Sequence, residues 1–255
     1  MSNIPKPPPV TVKVLKGPSN TNIYWTGPDL SEGCLPALFY FAISGSESLS
    51  LDPFNQPVAF LSGEPLRVFS LTLPFHGEGF DKNKAVDLWV EEIQNGSDII
   101  SSFVQRVIDC IDSLIEEGFV DSENIAVAGL SRGGFIASHI AARHHSIKTV
   151  LGFAPMTIVR GNNSLADSLS LENITEQLTK KCLRFYIGNR DQRVSTAKCF
   201  EFIEMLAEKS YEKKIRSPQV ELIISPSIGY MGHGTSPSVF FNGACWVKER
   251  LLNSQ

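Results

Sequence analysis

Cysteine is scarce in this sequence, and the cysteines that occur are not spaced as metal ligands or as a disulfide framework. The chain of 255 residues has five cysteines, an odd number, and no Cys-x-x-Cys motif. A disulfide-rich scaffold and a cysteine-based zinc site are therefore not expected. Scattered thiols are typical of a reducing compartment, so we expect a cytoplasmic protein with no bound metal and no cofactor.

An excess of positive charge and long apolar runs are also missing. The formal net charge is −4, which leaves no basic surplus to neutralise nucleic-acid phosphates. The sequence has no run of about 18 apolar residues, which a membrane-spanning helix would need. Residues 1–9 hold four prolines and lack the apolar core of a signal peptide, which predicts an extended N-terminal arm. We therefore expect neither a nucleic-acid partner nor a membrane span.

Short apolar segments alternate with helical patterns across residues 35–252. This order is typical of βαβ units and predicts an α/β fold with a mostly parallel sheet covered by helices on both faces. No linker or repeat divides the chain, so residues 10–255 are predicted to form a single domain. The polar, mixed segment 156–182 is a candidate for a small lid over the strand ends.

Each predicted element follows from its local pattern. The predicted strands are residues 10–15, 22–26, 35–43, 67–73, 125–130, 149–154, 183–187 and 220–224. The predicted helices are residues 86–92, 99–115, 135–143, 171–181, 196–208 and 239–252, with a short one within 53–61. Residues 44–48 are predicted to form a loop.

The segment Gly129-Leu130-Ser131-Arg132-Gly133-Gly134 follows a predicted strand and precedes a predicted helix. A strand, a sharp turn with serine at its apex and a helix form the context of a nucleophile elbow. The turn holds the serine in a strained backbone conformation, and the residues two before and two after it must be small. Gly129 and Gly133 meet that demand, and the amide of Arg132 is placed to stabilise an oxyanion.

A serine nucleophile needs a general base, and imidazole has a suitable pKa. His233 is the favoured base, because it follows the last predicted strand in Met231-Gly232-His233-Gly234 and glycines let that loop approach the serine. His76 also follows a strand and is a candidate for lining the pocket. His139 lies on the elbow helix and is expected to point away from the serine. His144 and His145 end that helix, where positive charge complements the helix dipole.

The acid that orients the imidazole is expected at a strand end. Asp191 meets this condition directly after predicted strand 183–187, whereas Asp167 and Glu172 do not clearly follow a strand. The second oxyanion amide is expected in the loop after strand 35–43, where Ser44 and Ser46 flank Gly45, and we assign it to Ser46. The further candidates for lining the pocket are Ser44, His76 and Met231.

These motifs together resemble the α/β-hydrolase family over roughly residues 35–250. The resemblance is carried by the elbow 129–134, the segment Gly188-x-x-Asp191-x-x-Val194 and His233, which occur in the family's order of serine, acid and histidine. It implies an eight-stranded, mostly parallel sheet and acyl transfer through a serine ester.

Two further segments resemble particular branches of this family. The loop His76-Gly77-Glu78-Gly79 is similar to the family's His-Gly loop, and the insertion 156–182 is similar to that of serine esterases and of the catalytic domain of prolyl-oligopeptidase-like enzymes. The sequence departs from many members at Ser44-Gly45, where they carry His-Gly.

The sequence therefore predicts a serine hydrolase, a carboxylesterase, in which Ser131 attacks a small-molecule acyl substrate, His233 is the base and Asp191 orients it. A peptidase or amidase with the same machinery remains a second hypothesis. A member of the fold that only binds a ligand or partner remains a third, because fold does not fix function.

Overall fold

The protein is described here by a computed structural model that covers residues 9–81, 84–215 and 220–253. The strands are β1 (Lys13–Lys16), β2 (Asn22–Thr26), β3 (Leu35–Phe41), β4 (Arg67–Ser70), β5 (Val120–Leu130), β6 (Ile147–Phe153), β7 (Cys182–Gly188) and β8 (Val220–Ser225). The helices are α1 (Gly45–Ser50), α2 (Gln56–Phe60), α3 (Ala85–Gln94), α4 (Ile99–Glu116), α5 (Arg132–Arg143), α6 (Ser164–Leu169), α7 (Thr175–Leu178), α8 (Thr196–Glu212) and α9 (Pro237–Leu252).

The strands form one eight-stranded sheet in the order β1-β2-β4-β3-β5-β6-β7-β8. From β4 to β8 every neighbouring pair is parallel, as the alternation of strands and helices predicts. The sheet is nevertheless mixed, since β2 is antiparallel to both β1 and β4. For β1 and β2 the reason is local, because the turn that connects them is too short for the crossover that a parallel pair requires.

The apolar run of β3 is buried on both faces, as its composition predicts. Phe39 and Phe41 belong to the core on the side of α4 and α5, whereas Leu38 and Tyr40 belong to the core on the side of α9. The hydroxyl of Tyr40 donates to Phe54 O at 2.6 Å, which satisfies the polar atom that this strand buries.

Helix α1 replaces the loop that was predicted for residues 44–48. The Ser44 hydroxyl caps its first turn, accepting from Glu47 N and donating to Glu47 Oε2. This is the Ser-x-x-Glu pattern of a capping box, a signal present in the sequence that outweighs the glycine and serines around it.

The predicted helix 171–181 is shorter than expected and is preceded by α6, which the sequence patterns did not reveal. Asn163 starts α6 by accepting a hydrogen bond from Ala166 N at 2.9 Å. A 3₁₀ turn, Leu171–Ile174, then leads into α7. Broken polar segments of this kind have no apolar period long enough to define a helix.

The predicted N-terminal arm, residues 1–9, lies almost entirely outside the described residues. Of the helices that the structure describes, none combines the length and the hydropathy that crossing a membrane would require.

Arg67, the first residue of β4, is fully buried and bonds to two other segments, the loop before β3 and the residue before β5. Its guanidinium donates to Pro28 O at 3.0 Å and to Asp29 O, both in the loop before β3. It also donates to Gly33 O and to Phe119 O, each at 2.6 Å. One buried guanidinium thus makes four hydrogen bonds to backbone carbonyl oxygens, which satisfy its own donors.

Replacing Arg67 with Met should lower the free energy of unfolding by about 3 kcal/mol, because four charge-assisted hydrogen bonds of a buried side chain are lost together. Urea unfolding measures this. Lys148→Met is the matched control, since Lys148 pairs with Glu123 at the exposed surface, where one ion pair contributes about 1 kcal/mol or less. Equal losses in the two variants would contradict the role given to Arg67.

Candidate active site

Ser131 lies at a sharp turn between β5 and α5. Its backbone has φ 56° and ψ −115°, a left-handed conformation that costs about 1–3 kcal/mol in a non-glycine residue. A Cβ on Gly129 would overlap the Gly133 carbonyl, and a Cβ on Gly133 would overlap Phe41 O. The small residues that the elbow was predicted to need are therefore required by direct backbone contact.

The strained serine is fixed through its backbone. Ser131 N donates to Phe153 O of β6 at 2.8 Å, and Ser131 O accepts from Gly134 N and Met156 N, each at 3.1 Å. These bonds tie the turn to its own helix and to the neighbouring strand. They leave the Ser131 side chain free to interact beyond the sheet edge.

Three side chains predicted from the sequence come together at this edge. The Ser131 hydroxyl donates to His233 Nε2 at 2.9 Å. On the other side of the ring, His233 Nδ1 donates to Asp191 Oδ2 at 2.7 Å. This bond to a carboxylate places the ring proton on Nδ1, which leaves the Nε2 lone pair directed at Ser131.

The loop that carries His233 approaches the Asp191 loop very closely. Gly232 has φ 75°, and a Cβ there would overlap Arg190 O. Gln192 N donates to Met231 O at 2.9 Å, which joins the two loops through their backbones. The glycine that flanks the base is thus required both for its left-handed conformation and for this contact.

The Asp191 carboxylate is satisfied within the protein. Its side chain is buried, and Oδ1 accepts from Arg193 N at 2.9 Å and from Val194 N at 3.1 Å. Burial alone would raise the pKa of Asp191, but the hydrogen bonds from His233 and from these two amides outweigh it and lower the pKa below its ordinary value. Asp191 is therefore a fixed carboxylate that holds the imidazole in one orientation.

Of the two predicted oxyanion donors, Arg132 lines the cavity at Ser131 and Ser46 does not. Arg132 N is the first amide of α5, and among the described residues it has no intramolecular acceptor. Ser46 does not line the cavity at Ser131, because α1 starts at Gly45 and takes Ser46 into its first turn. The cavity is lined instead by Ala42 and Ile43, directly after β3.

The amides of Ala42 and Ile43 are already engaged. They donate to the buried Ser48 hydroxyl at 3.1 and 3.0 Å. Ala42 and Ile43, which follow the strand end by one and two residues, therefore line the cavity with amides that are directed at Ser48 Oγ. Ser46 lies outside this lining, and its assignment as the second oxyanion donor stays a prediction.

A cavity of about 230 Å³ opens beside the serine. Its lining is mostly apolar, with two cationic side chains and, in the part of the chain that the structure describes, no acidic one. The lining residues are Ala42, Ile43, Pro53, Phe54, Leu130, Ser131, Arg132, Arg193, His233, Gly234, Thr235 and Phe240. Arg193 was missed in the sequence, although it lies two residues after the predicted acid.

The three predicted pocket-lining residues lie elsewhere. Ser44 lines a different cavity, beside β2 and Thr72. His76 is buried, with Nδ1 2.8 Å from Pro74 O. Met231 is exposed and joins the acid and base loops through its carbonyl oxygen.

The segment 156–182 contributes no residue to the lining of this cavity. Leu169 O instead lies 2.8 Å from Nε2 of His139, which is buried on α5 with its pKa lowered to about 4 by burial. The lid function of the segment therefore stays a prediction without a contact at Ser131 to support it. Among the described residues, no cluster of histidine, cysteine and acidic side chains is arranged to hold a metal ion.

Comparison with known sequences gives one family. Residues 102–181 match the prolyl oligopeptidase family, a stretch that includes the elbow and Ser131 but neither Asp191 nor His233. Among curated proteins, none matches the sequence significantly.

Solved structures share the fold over nearly the whole chain. TT1662 from Thermus thermophilus is 17% identical, with a TM-score of 0.71 over 95% of this chain and 98% of that protein. An acylaminoacyl peptidase from Pyrococcus horikoshii is 14% identical, with a TM-score of 0.70 over 97% of this chain but only 43% of the peptidase. A cold-adapted esterase from an Arctic intertidal metagenomic library is 18% identical, with a TM-score of 0.67 over 94% of this chain and 93% of the esterase.

At these identities the likeness establishes the fold, and the relatives include both peptidases and esterases. The sheet order, the elbow and the family match agree with one another and indicate a hydrolase. The chain has the fold of the α/β-hydrolases, and its residues 102–181 match the prolyl oligopeptidase family within that fold.

Proposed function

We propose that this protein is a serine hydrolase that cleaves a carboxylic ester through an acyl-enzyme formed on Ser131. The proposal is carried by one observation: Ser131, His233 and Asp191 form a continuous chain of hydrogen bonds of 2.9 and 2.7 Å at the mouth of a cavity. That chain converts a weak hydroxyl nucleophile into an effective one.

The reaction follows from this geometry. His233 Nε2 accepts the Ser131 proton as Oγ attacks the substrate carbonyl, and buried Asp191 stabilises the imidazolium that forms. The amide of Arg132 donates to the developing oxyanion. His233 then protonates the departing alcohol, and the same base activates water to release the acid from Ser131.

The lining of the cavity supports an ester over a peptide with a free amino terminus. A subsite for an α-ammonium group needs a carboxylate, and no acidic side chain lines the cavity among the described residues. The mostly apolar walls, which include Phe54 and Phe240, suit the carbon chain of an acyl group.

A peptidase or amidase is the second candidate, since the matched family is that of prolyl oligopeptidase and one similar structure is an acylaminoacyl peptidase. The same nucleophile and base serve amide cleavage. We expect turnover of para-nitrophenyl butyrate to exceed that of the matching butyryl anilide and of aminoacyl anilides. If an anilide were cleaved faster than para-nitrophenyl butyrate, the peptidase or amidase hypothesis would be favoured instead.

Changing Ser131 to Ala should lower kcat for para-nitrophenyl butyrate by roughly 10³-fold or more, because the covalent step is lost. A fluorophosphonate probe should label the parent protein and leave this variant unlabelled. Ser236→Ala is the control, since Ser236 caps α9 away from the triad. An unlabelled parent protein would favour a member of the fold that only binds a ligand or partner.

Changing Asp191 to Asn should lower kcat by roughly 10³- to 10⁴-fold with little change in KM. The amide would allow the imidazole to carry its proton on Nε2, where it faces Ser131 and cannot act as base. Steady-state kinetics on the same ester measure this. Asp167→Asn is the control, because Asp167 was the rival acid and lies in α6. Similar losses in both variants would remove the role assigned to Asp191.

A further inference from the structure

Two arginines face the cavity beside Ser131, and the reaction proposed above uses neither guanidinium. Arg132 follows the nucleophile and Arg193 follows the acid, so both are fixed by the same elements that fix the triad. Both residues line a small, largely apolar cavity, Arg132 half-buried and Arg193 exposed, and their positive charges are close enough to repel each other.

The Arg132 guanidinium is not satisfied within the protein. Its Nη1 atom is buried and has no hydrogen-bond partner. Its Cζ lies 5.7 Å from the centre of the Trp89 ring, a contact that supports a cation without accepting its hydrogen bonds. Burial, followed by repulsion from Arg193, lowers the pKa of Arg132 to about 10, so the group is still charged near neutral pH.

Among the described residues, no carboxylate forms an ion pair with this guanidinium. Asp191, the acid closest in sequence to Arg193, is occupied by His233 and two amides. Neither arginine takes part in an ion pair with a described residue. A partly buried cation that repels a second one is unfavourable in the free protein, and such groups are found paired in most structures.

We infer that Arg132 and Arg193 bind a carboxylate of the substrate, so that the protein acts on acyl esters carrying a carboxylate near the scissile bond. This inference rests on the proposed function and adds the substrate class to it. A carboxylate offers two acceptor oxygens to the planar donors of a guanidinium, and such charge-assisted bonds are roughly twice as strong as neutral ones. The free Nη1 atom of Arg132 is one donor that such a ligand would satisfy.

The test compares charged and neutral esters of equal shape. The charge lies on the acyl side in the para-nitrophenyl monoester of glutaric acid, whose neutral counterpart carries an isopropyl group in place of the carboxylate. It lies on the alcohol side in meta-carboxyphenyl butyrate, whose neutral counterpart is meta-carbamoylphenyl butyrate. The measured quantity is the ratio of kcat/KM for the charged ester to that for its counterpart.

In at least one of the two pairs, Arg193→Gln should lower this ratio by about tenfold, the loss expected for a charge-assisted bond. Arg132→Met should lower it in the same pair. Arg190→Gln is the matched control: it removes one positive charge from the same loop, at an exposed residue outside the cavity, and should leave the ratio as it is in the parent protein.

The possible failures are distinct. If no ester is turned over and the fluorophosphonate probe does not label Ser131, the proposed function fails. If both pairs are turned over and Arg193→Gln leaves both ratios unchanged, the carboxylate subsite is wrong while the hydrolase stands. If Arg190→Gln lowered the ratio of kcat/KM values as much as Arg193→Gln does, the effect would come from the net positive charge of the loop. That result would also overturn the carboxylate subsite.

Discussion

The close contact between helix α5 and strand β3 at Gly133 is the constraint on which the rest of the site depends. A Cβ at Gly133 would overlap Phe41 O, so the helix approaches the sheet as closely as two backbones allow. This approach forces the left-handed conformation of Ser131, which in turn projects its hydroxyl beyond the sheet edge. The strain is tolerated because the turn is tied to β6 through Phe153 O. A larger residue at Gly133 would push α5 away from β3 and so move Ser131 out of its position.

The base and the acid are set by a second, independent backbone contact. Gly232 packs on Arg190 O, and Ser227 Oγ accepts from Arg190 N at 2.6 Å, so the loops after β7 and β8 form one unit. The bond between His233 and Asp191 is therefore fixed before any substrate enters. What remains adjustable is the bond between His233 and Ser131, since these residues belong to separately anchored turns. Catalysis needs that freedom, because the Ser131 proton must move to the ring and return.

The strands and the elbow were predictable because each depends on a local pattern: an apolar run, or a glycine at a fixed distance from the serine. Asp191 and His233 were predictable because the carboxyl ends of parallel strands lie at one edge of the sheet. Residues that directly follow such strands in the sequence are therefore close together in the fold. The lining of the cavity after β3 was not predictable, because it depends on where α1 begins. The capping residue Ser44 starts that helix, which moves Ser46 away and leaves Ala42 and Ile43 at the cavity. Nor does the sequence show that Arg193 forms no ion pair with a described residue, since that depends on which side chains the fold brings near it.

The charge balance of the site connects the arginines with the chemistry. Asp191 and His233 balance each other only after His233 has taken the Ser131 proton, when the ring becomes a cation. Arg132 and Arg193 line the same cavity as that ring, so with a substrate that carries no carboxylate only Asp191 and the developing oxyanion offset the repulsion between the imidazolium and the two guanidinium groups. A carboxylate held by the arginines removes that repulsion before the proton moves. The same anion that fixes the substrate in place would therefore also favour formation of the imidazolium, which couples substrate selection to the rate of acyl transfer.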